Sequence, residues 1–215
     1  DTKHFQYVTH GLGDRLKLIA LSKKFTNLKS DQVLSAYRES KNRAFFFDNE
    51  GTLSNLLKQK DIDKNIGPSE KTQNCLDDLV KDERNTVFVI TGRERRILEK
   101  WYGKIGNLGM AAEYGSFIRW NSKSQWQLMT QGSSNWKETA KQIISAYVTR
   151  TEGSYIEEKE CSVVFQYRDT DPDLGSWQAK ELISHLEILL KPFMNECEVS
   201  SGLGYVEVKP SGITK

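Results

Sequence analysis

The fold is decided by the stretch Arg43-Ala-Phe-Phe-Phe-Asp-Asn-Glu-Gly-Thr52. Its three consecutive aromatic residues predict a short strand buried on both faces, as in a parallel α/β sheet. The strand stops in polar turn formers, so Asp48 and Glu50 fall at its carboxyl end, where open α/β sheets place their ligand sites. These carboxylates predict a nucleophile or metal ligand beside a proton-transfer group. The alternative is that they only cap the next element.

Two further buried strands are predicted along the chain, over residues 85–90 and 108–112. A helix is predicted to begin after Gly67-Pro68-Ser69 and to precede the first of them. The first of these strands ends in Thr91-Gly92-Arg93, just before another helix. A hydroxyl, a glycine and an arginine at a helix start favour phosphate binding, because backbone N–H groups and charged donors converge there. The alternative is a helix cap with a solvated arginine.

Beyond residue 112 the pattern changes from alternating strands and helices to pairs of strands. Such pairs with two helices indicate an α+β insert in an α/β core. The strand predicted over residues 205–209 would return to the core. The predicted insert contains a hairpin at 117–120 and 125–129, helices near 135–150 and 176–191, and strands at 155–156 and 162–167.

The composition describes an ordinary globular protein. Of its 215 residues, 37% are hydrophobic and 28% are charged, with a formal net charge of +2. This balance favours neither a nucleic-acid nor a membrane partner. The three cysteines lack metal-ligand or redox spacing, which favours a reduced, cytoplasmic setting. Because the chain begins at Asp1, we expect it to be part of a longer protein.

The residues quoted so far combine with the block Tyr155–Gly175, YIEEKECSVVFQYRDTDPDLG, to carry a family resemblance. The chain resembles trehalose-6-phosphate phosphatases of the haloacid-dehalogenase-like superfamily. It is most similar to the phosphatase-like half of plant-type two-part synthase/phosphatase proteins. Residues 11–38 resemble the end of a preceding synthase domain. The matching segments are 43–53, 87–93, 108–120, 155–175 and 205–215.

The resemblance implies a Rossmann-like core of the haloacid-dehalogenase type with an inserted α+β cap. Residues 1–28 would be the tail of a synthase-like domain and a linker. Residues 29–116 and 204–215 would form the core, incomplete at its C-terminus, and 117–203 the cap. Core and cap would be joined near residues 115–118 and 201–204.

The resemblance also implies a chemistry for the core. Asp48 would be the nucleophile that forms an aspartyl-phosphate, and Glu50 the general acid/base, with both available to Mg²⁺. Thr91 and Lys215 would contact the phosphoryl group during catalysis. The implied substrate is trehalose 6-phosphate, and its contacts would be Arg93, Glu113, Glu157, Lys159, Arg168 and Glu207.

Three departures from the family pattern bear on activity. Glu50 stands where the family has Asp, and Gln166 where it has His. The extra methylene moves a carboxyl group by about 1 Å, an error that can cost about a hundredfold in rate. A fourth acidic motif would lie beyond Lys215, so we expect weak magnesium binding here. Two functions remain open: a weakened phosphatase, or an inactive sugar-phosphate-binding or assembly domain joined to a synthase-like domain. Another sugar phosphatase of the superfamily is a third alternative.

Overall fold

The computed structural model of the chain forms two compact units, residues 1–43 and 44–215. In the first unit, strands β1 (Phe5–Leu12) and β2 (Arg15–Ser22) pair as an antiparallel hairpin. Helix α1 (Ser30–Glu39) follows in the same unit, although it was predicted to belong to the core. The structure describes residues 5–12, 15–22, 28–55, 67–130 and 135–213.

A five-stranded sheet forms the core, with strand order β3-β4-β5-β6-β7. Strands β4 and β5 are parallel, whereas β6 pairs antiparallel with both β5 and β7. This mixed α/β sheet confirms the predicted fold class. The strands are β3 (Arg43–Asp48), β4 (Asn85–Ile90), β5 (Leu108–Ala112), β6 (Phe117–Arg119) and β7 (Gln127–Leu128).

Helices α2 (Glu70–Val80) and α3 (Arg95–Tyr102) share one hydrophobic core with one face of this sheet. Phe45 and Phe47 of β3 pack against that core. Phe46 points to the other face and is 64% exposed, so the prediction of a strand buried on both faces was wrong. Successive side chains alternate across a strand, so Phe46 lies on the face opposite to that of Phe45 and Phe47.

The face of the core sheet that carries Phe46 bears a shallow apolar groove of about 440 Å³. Phe46, Phe88 and Trp120 line it as an aromatic row, with ring centroids 6.0 and 5.1 Å apart in succession. The groove is almost entirely apolar, so it differs in character from the polar cluster at the end of β3.

A second sheet of four antiparallel strands forms the cap, in the order β10-β11-β9-β8. Helices α4 (Asn135–Val148) and α5 (Pro172–Leu189) bury one face of it, with Ile144, Phe165 and Leu182 fully enclosed. The opposite face carries several charged or amide side chains, among them Glu157, Gln166 and Glu207, at alternate positions of their strands. The strands are β8 (Tyr155–Glu158), β9 (Val163–Gln166), β10 (Cys197–Gly202) and β11 (Tyr205–Pro210).

Three strands were predicted at the right positions but in the wrong sheet. The hairpin β6–β7, predicted for the cap, extends the core sheet. Strand β11, predicted to return to the core, lies between β10 and β9 of the cap. Strand β10 was not predicted, and it supplies the neighbour that holds β11 there. Local periodicity identifies a strand but not its partner, so both predicted junctions between core and cap were misplaced.

Two short 3₁₀ turns, Glu113–Gly115 and Lys191–Phe193, complete the described elements. Among the helices in the described ranges, none combines the length and the apolarity that a bilayer span requires.

Candidate functional site

A cluster of polar side chains lies where β3 and β4 end. The Glu50 carboxylate accepts hydrogen bonds from Arg93 Nε at 2.9 Å and from Thr91 Oγ1 at 2.8 Å. Asn49 Nδ2 donates a third, at 3.1 Å. Thr91 is fully buried, and the side chains of Glu50 and Arg93 are 17% and 15% exposed. The turn after β3, residues 48–54 and here called the acidic turn, therefore contacts the Thr91-Gly92-Arg93 segment in the structure.

The acidic turn is fixed by its own hydrogen bonds. The backbone N–H groups of Leu53 and Ser54 both donate to the Asn49 carbonyl. The buried Tyr102 hydroxyl donates to Asn49 Oδ1 at 2.5 Å. Gly51 has φ of +82°, a left-handed conformation that glycine adopts without steric cost. The turn thus aims the Glu50 side chain toward β4.

Asp48 ends β3 with an exposed side chain, and its Oδ1 accepts the backbone N–H of Asn49 at 2.8 Å. This contact orients one carboxylate oxygen along the turn. The predicted nucleophile and the predicted acid/base are therefore held differently. Asp48 is on the surface, whereas Glu50 is bound by three donors.

The pKa of Glu50 reflects two opposing effects. Burial raises the pKa, but the positive charge of Arg93 and the hydrogen bonds from Thr91, Arg93 and Asn49 lower it more. The net result lies below the ordinary value, so the carboxylate is ionised at neutral pH. A general acid must carry a proton, and this environment opposes that role.

The Thr91–Arg93 loop is held by the turn that follows β5. The N–H groups of Glu113 and Tyr114 donate to the carbonyls of Arg93 and Thr91, both at 2.9 Å. Glu113 and Tyr114 both have positive φ, a strained conformation for residues with side chains. The Tyr114 ring lies directly on Gly92, where an added Cβ would come within 2.5 Å of it. A larger residue at position 92 would therefore require the Tyr114 ring to shift.

The same turn contacts the cap. The Glu113 carboxylate, 2% exposed, accepts the backbone N–H groups of Glu160 at 3.0 Å and of Cys161 at 2.8 Å. Burial raises the pKa of Glu113, although these two hydrogen bonds act against the rise. Arg95 of α3 adds a bidentate pair with Glu160, with both distances 2.7 Å. Core and cap are thus tied at the turn between β8 and β9.

The polar face of the cap carries a buried ion pair. Lys159 Nζ donates to Glu207 Oε1 at 2.8 Å, and Ser162 Oγ donates to the same oxygen at 2.8 Å. Beside it, Gln166 Nε2 donates to Glu157 Oε2 at 2.7 Å. Residues 157, 164 and 207 are direct cross-strand neighbours, so these groups share one face.

The Tyr114 ring also borders this face. Lys159 Nζ and Lys209 Nζ lie 5.7 and 5.1 Å from its centroid. Distances of this kind bring cations within reach of the negative ring face. One side chain therefore touches both the Gly92 loop of the core and the polar face of the cap.

The structure brings several of the predicted site residues together in two groups. Glu50, Thr91 and Arg93 come together at the end of the core strands, and Lys159 and Glu207 come together in the cap. Arg168 is exposed and lies apart, with Nε donating to the carbonyl of Leu203 at 3.2 Å. Lys215 lies outside the described residues.

Sequence reasoning missed Tyr114 and Lys209. Lys209 could have been found, because it alternates with Glu207 along β11 and therefore shares its face. Tyr114 had no such signal, since its position depends on a left-handed turn. Glu113 was predicted to contact the substrate, and this role stays a prediction. In the structure its carboxylate accepts two backbone N–H groups of the turn between β8 and β9.

The described residues hold no cluster of metal-binding side chains. They contain no group of three or more His, Cys, Asp or Glu side chains placed to hold a metal ion. Of the two predicted ligands, the Glu50 carboxylate is bound by Arg93 and Thr91, whereas the Asp48 side chain is exposed. Mg²⁺ in proteins often binds one or two carboxylates together with water and substrate phosphate, so Asp48 would hold the ion only together with such groups.

The sequence matches one family model and several known proteins. The family model described as trehalose-phosphatase matches residues 46–215. In Arabidopsis thaliana, probable alpha,alpha-trehalose-phosphate synthase [UDP-forming] 10 is 43% identical over 95% of this chain. The alpha,alpha-trehalose-phosphate synthase [UDP-forming] 6 of that plant is 39% identical over the same share. The chain spans only 23% of the length of each relative.

The fold of the chain is similar to those of two solved structures. The C-terminal domain of C. albicans trehalose-6-phosphate phosphatase is 33% identical with a TM-score of 0.79, and the match covers 87% of this chain and 64% of that one. The C-terminal domain of the Candida albicans trehalose synthase regulatory protein has a TM-score of 0.71 at 16% identity, a likeness of fold alone.

Proposed function

The chain belongs to the trehalose-phosphatase family, and from this premise we propose that it hydrolyses trehalose 6-phosphate slowly, with Asp48 as nucleophile. It is a phosphatase-like domain of the kind found in trehalose-phosphate synthase proteins. One observation carries the proposal. The Glu50–Thr91–Arg93 cluster, beside Asp48, is linked through Tyr114 to the polar face of the cap.

This arrangement supports a division of labour between core and cap. Arg93 and Thr91 are donors suited to a phosphate, whereas carboxylate and amide groups suit sugar hydroxyls. Glu157, Gln166 and Glu207 supply such groups on the cap face. Tyr114 lies between the two regions, so a sugar phosphate bound across them would place its ester near Asp48.

The proposed reaction has two steps. An Asp48 carboxylate oxygen attacks phosphorus, the bond from phosphorus to the sugar oxygen breaks, and the sugar oxygen takes a proton from the carboxyl group of Glu50. Water then attacks the aspartyl-phosphate, Glu50 takes back a proton, and inorganic phosphate leaves with Asp48 restored. The first step requires protonated Glu50, which Arg93 opposes. This is the reason for proposing a slow enzyme.

A second function, a sugar-phosphate-binding or assembly domain without catalysis, is favoured by the same contact. The ion pair between Glu50 and Arg93 holds the acid/base group ionised, and a binding domain needs no proton transfer. Magnesium dependence, covalent connection to a synthase-like domain and a cytoplasmic location stay predictions. The two steps above involve only the substrate, water and side chains of this chain.

Phosphate release from trehalose 6-phosphate tests the proposal. The purified protein should release phosphate above the blank, and Asp48→Asn should abolish release while leaving the unfolding temperature unchanged. Asp78→Asn, on the exposed side of α2, is the matched control and should behave as wild type. No release from the wild type under any metal condition would reject the phosphatase and leave the binding function.

A further inference from the structure

The Thr91–Arg93 loop already binds an anionic group of the protein itself, the Glu50 carboxylate. The Thr91 hydroxyl and the Nε–H of the Arg93 guanidinium both donate to the Glu50 carboxylate, at 2.8 and 2.9 Å. Asn49 contributes a third donor from the acidic turn. These groups are suited to a phosphoryl oxygen, and a carboxylate has the same charge and similar donor preferences.

We infer that Glu50 is an internal competitor for the phosphoryl group, so that phosphate binds only when the contacts from Glu50 to Arg93 and Thr91 are broken. The inference rests on the proposed function and specifies how the same site is regulated. It concerns the length of the side chain at position 50 and the donors that this length reaches.

Electrostatics makes the competition exclusive. The paired charges of Glu50 and Arg93 cancel, so the loop offers an incoming anion little net attraction. A phosphoryl group at Thr91 and Arg93 would lie against the Glu50 carboxylate, and two anions in contact repel strongly in a partly buried site. Either the carboxylate leaves or the phosphate does not enter.

The surrounding structure retains Glu50 in the loop. Gly51 and the hydrogen bonds to the Asn49 carbonyl hold the turn, and Tyr102 fixes the Asn49 amide. On the other side, Tyr114 covers Gly92 and its N–H binds the Thr91 carbonyl. Both loops are held in place while Glu50 contacts Arg93 and Thr91. Phosphate can therefore displace the Glu50 carboxylate only if the Glu50 side chain rotates away from both donors.

The test is binding of inorganic phosphate by the full chain, measured by titration calorimetry without substrate and with a chelator present. Glu50→Gln removes the charge at constant length, and Glu50→Asp shortens the side chain. Both should bind phosphate at least about fivefold more tightly than wild type, the lower end of typical coupling between sites. Glu99→Gln is the control, because Glu99 is an ion-paired carboxylate of the same core located elsewhere.

A second comparison isolates the Arg93 contact. In an Arg93→Gln background, Glu50→Gln should give a smaller gain in phosphate affinity than in the wild-type background, since one of the two donors for which the anions compete is gone. Unchanged or weaker phosphate binding in both Glu50 variants would overturn the inference, as would an equal gain in Glu99→Gln. Because no turnover is measured, these outcomes are independent of whether the protein hydrolyses trehalose 6-phosphate.

Discussion

Lys159 and Glu207 form an ion pair inside the cap, with 2.8 Å between Nζ and Oε1 and side chains only 7% and 2% exposed. Two charges buried in this way have lost most of their hydration. Each is tolerated because the other is present. The pair is therefore a structural element as well as a candidate sugar contact.

Removal of one partner should destabilise the protein more than removal of both. Lys159→Met leaves the Glu207 carboxylate buried without its cation, although Ser162 still donates to it, which should cost about 3–5 kcal/mol in the free energy of unfolding. The double variant Lys159→Met/Glu207→Leu should recover a large part of this loss. Urea unfolding measures both. Lys141→Met, which breaks an exposed pair with Glu158, should have little effect. Equal losses in the single and double variants would contradict the reasoning.

Sugar binding is predicted to use the polar face of the cap. Glu157→Ala should weaken binding of trehalose 6-phosphate by about 1–3 kcal/mol, because a desolvated hydrogen bond to the sugar is lost. Lys159→Ala should do the same, in addition to its effect on stability. Calorimetry of each variant gives the affinity.

Glu158→Ala is the matched control for that measurement. Glu158 is the next residue along β8 and points to the opposite face of the sheet, where it pairs with Lys137 and Lys141. Its removal should leave the affinity unchanged. If Glu157→Ala and Lys159→Ala also left the affinity unchanged, the sugar would bind elsewhere.

Catalysis is predicted to depend on the length of the side chain at position 50. Glu50→Asp should raise kcat for phosphate release from trehalose 6-phosphate, because a shorter acid escapes the Arg93 contact. Well-placed acid/base groups contribute about 10²–10⁴-fold. Glu99→Asp should not change kcat. A wild type that turns over rapidly and is slowed by Glu50→Asp would show that Glu50 is the better acid.

The raised pKa of Glu113 predicts a pH-dependent stability. Burial, the main cause, raises the pKa above 4.5, so the folded state binds this proton more tightly than the unfolded state. The associated stability is complete below pH 4.5 and is lost as the pH rises through the folded pKa. The free energy of unfolding of wild type minus that of Glu113→Gln should therefore fall as the pH rises through this range.

Glu158→Gln is expected to give a pH dependence of opposite sign for the difference in free energy of unfolding. Hydrogen bonding from Lys141 is the main reason that the pKa of Glu158 is lowered. The free energy of unfolding of wild type minus that of Glu158→Gln should rise with pH, because that stability is lost as the pH falls. A Glu113 difference that also rises with pH would mean that the two backbone N–H groups outweigh burial.

Much of the local structure was predictable from the sequence. The strands over residues 85–90 and 108–112 were predicted at the bounds observed. The acidic turn and the Thr-Gly-Arg segment follow strands at the predicted positions, and the family resemblance was confirmed. Each of these features depends on neighbouring residues, through periodicity, turn formers and glycines, and such information is local.

The tertiary structure decided what these local features contact. Sheet membership of β6, β7 and β11 depends on pairing partners distant in sequence. The contact between Glu50 and Arg93 joins residues 43 positions apart, and it turns a predicted proton donor into an ionised partner of an arginine. The Glu113 carboxylate, predicted as a substrate contact, accepts two backbone N–H groups of the cap, which the sequence did not indicate. The sequence by itself determined which charged side chains are present and which strands and turns carry them. The tertiary structure decided which of these charges are paired, because an unpaired charge in a partly buried site is costly.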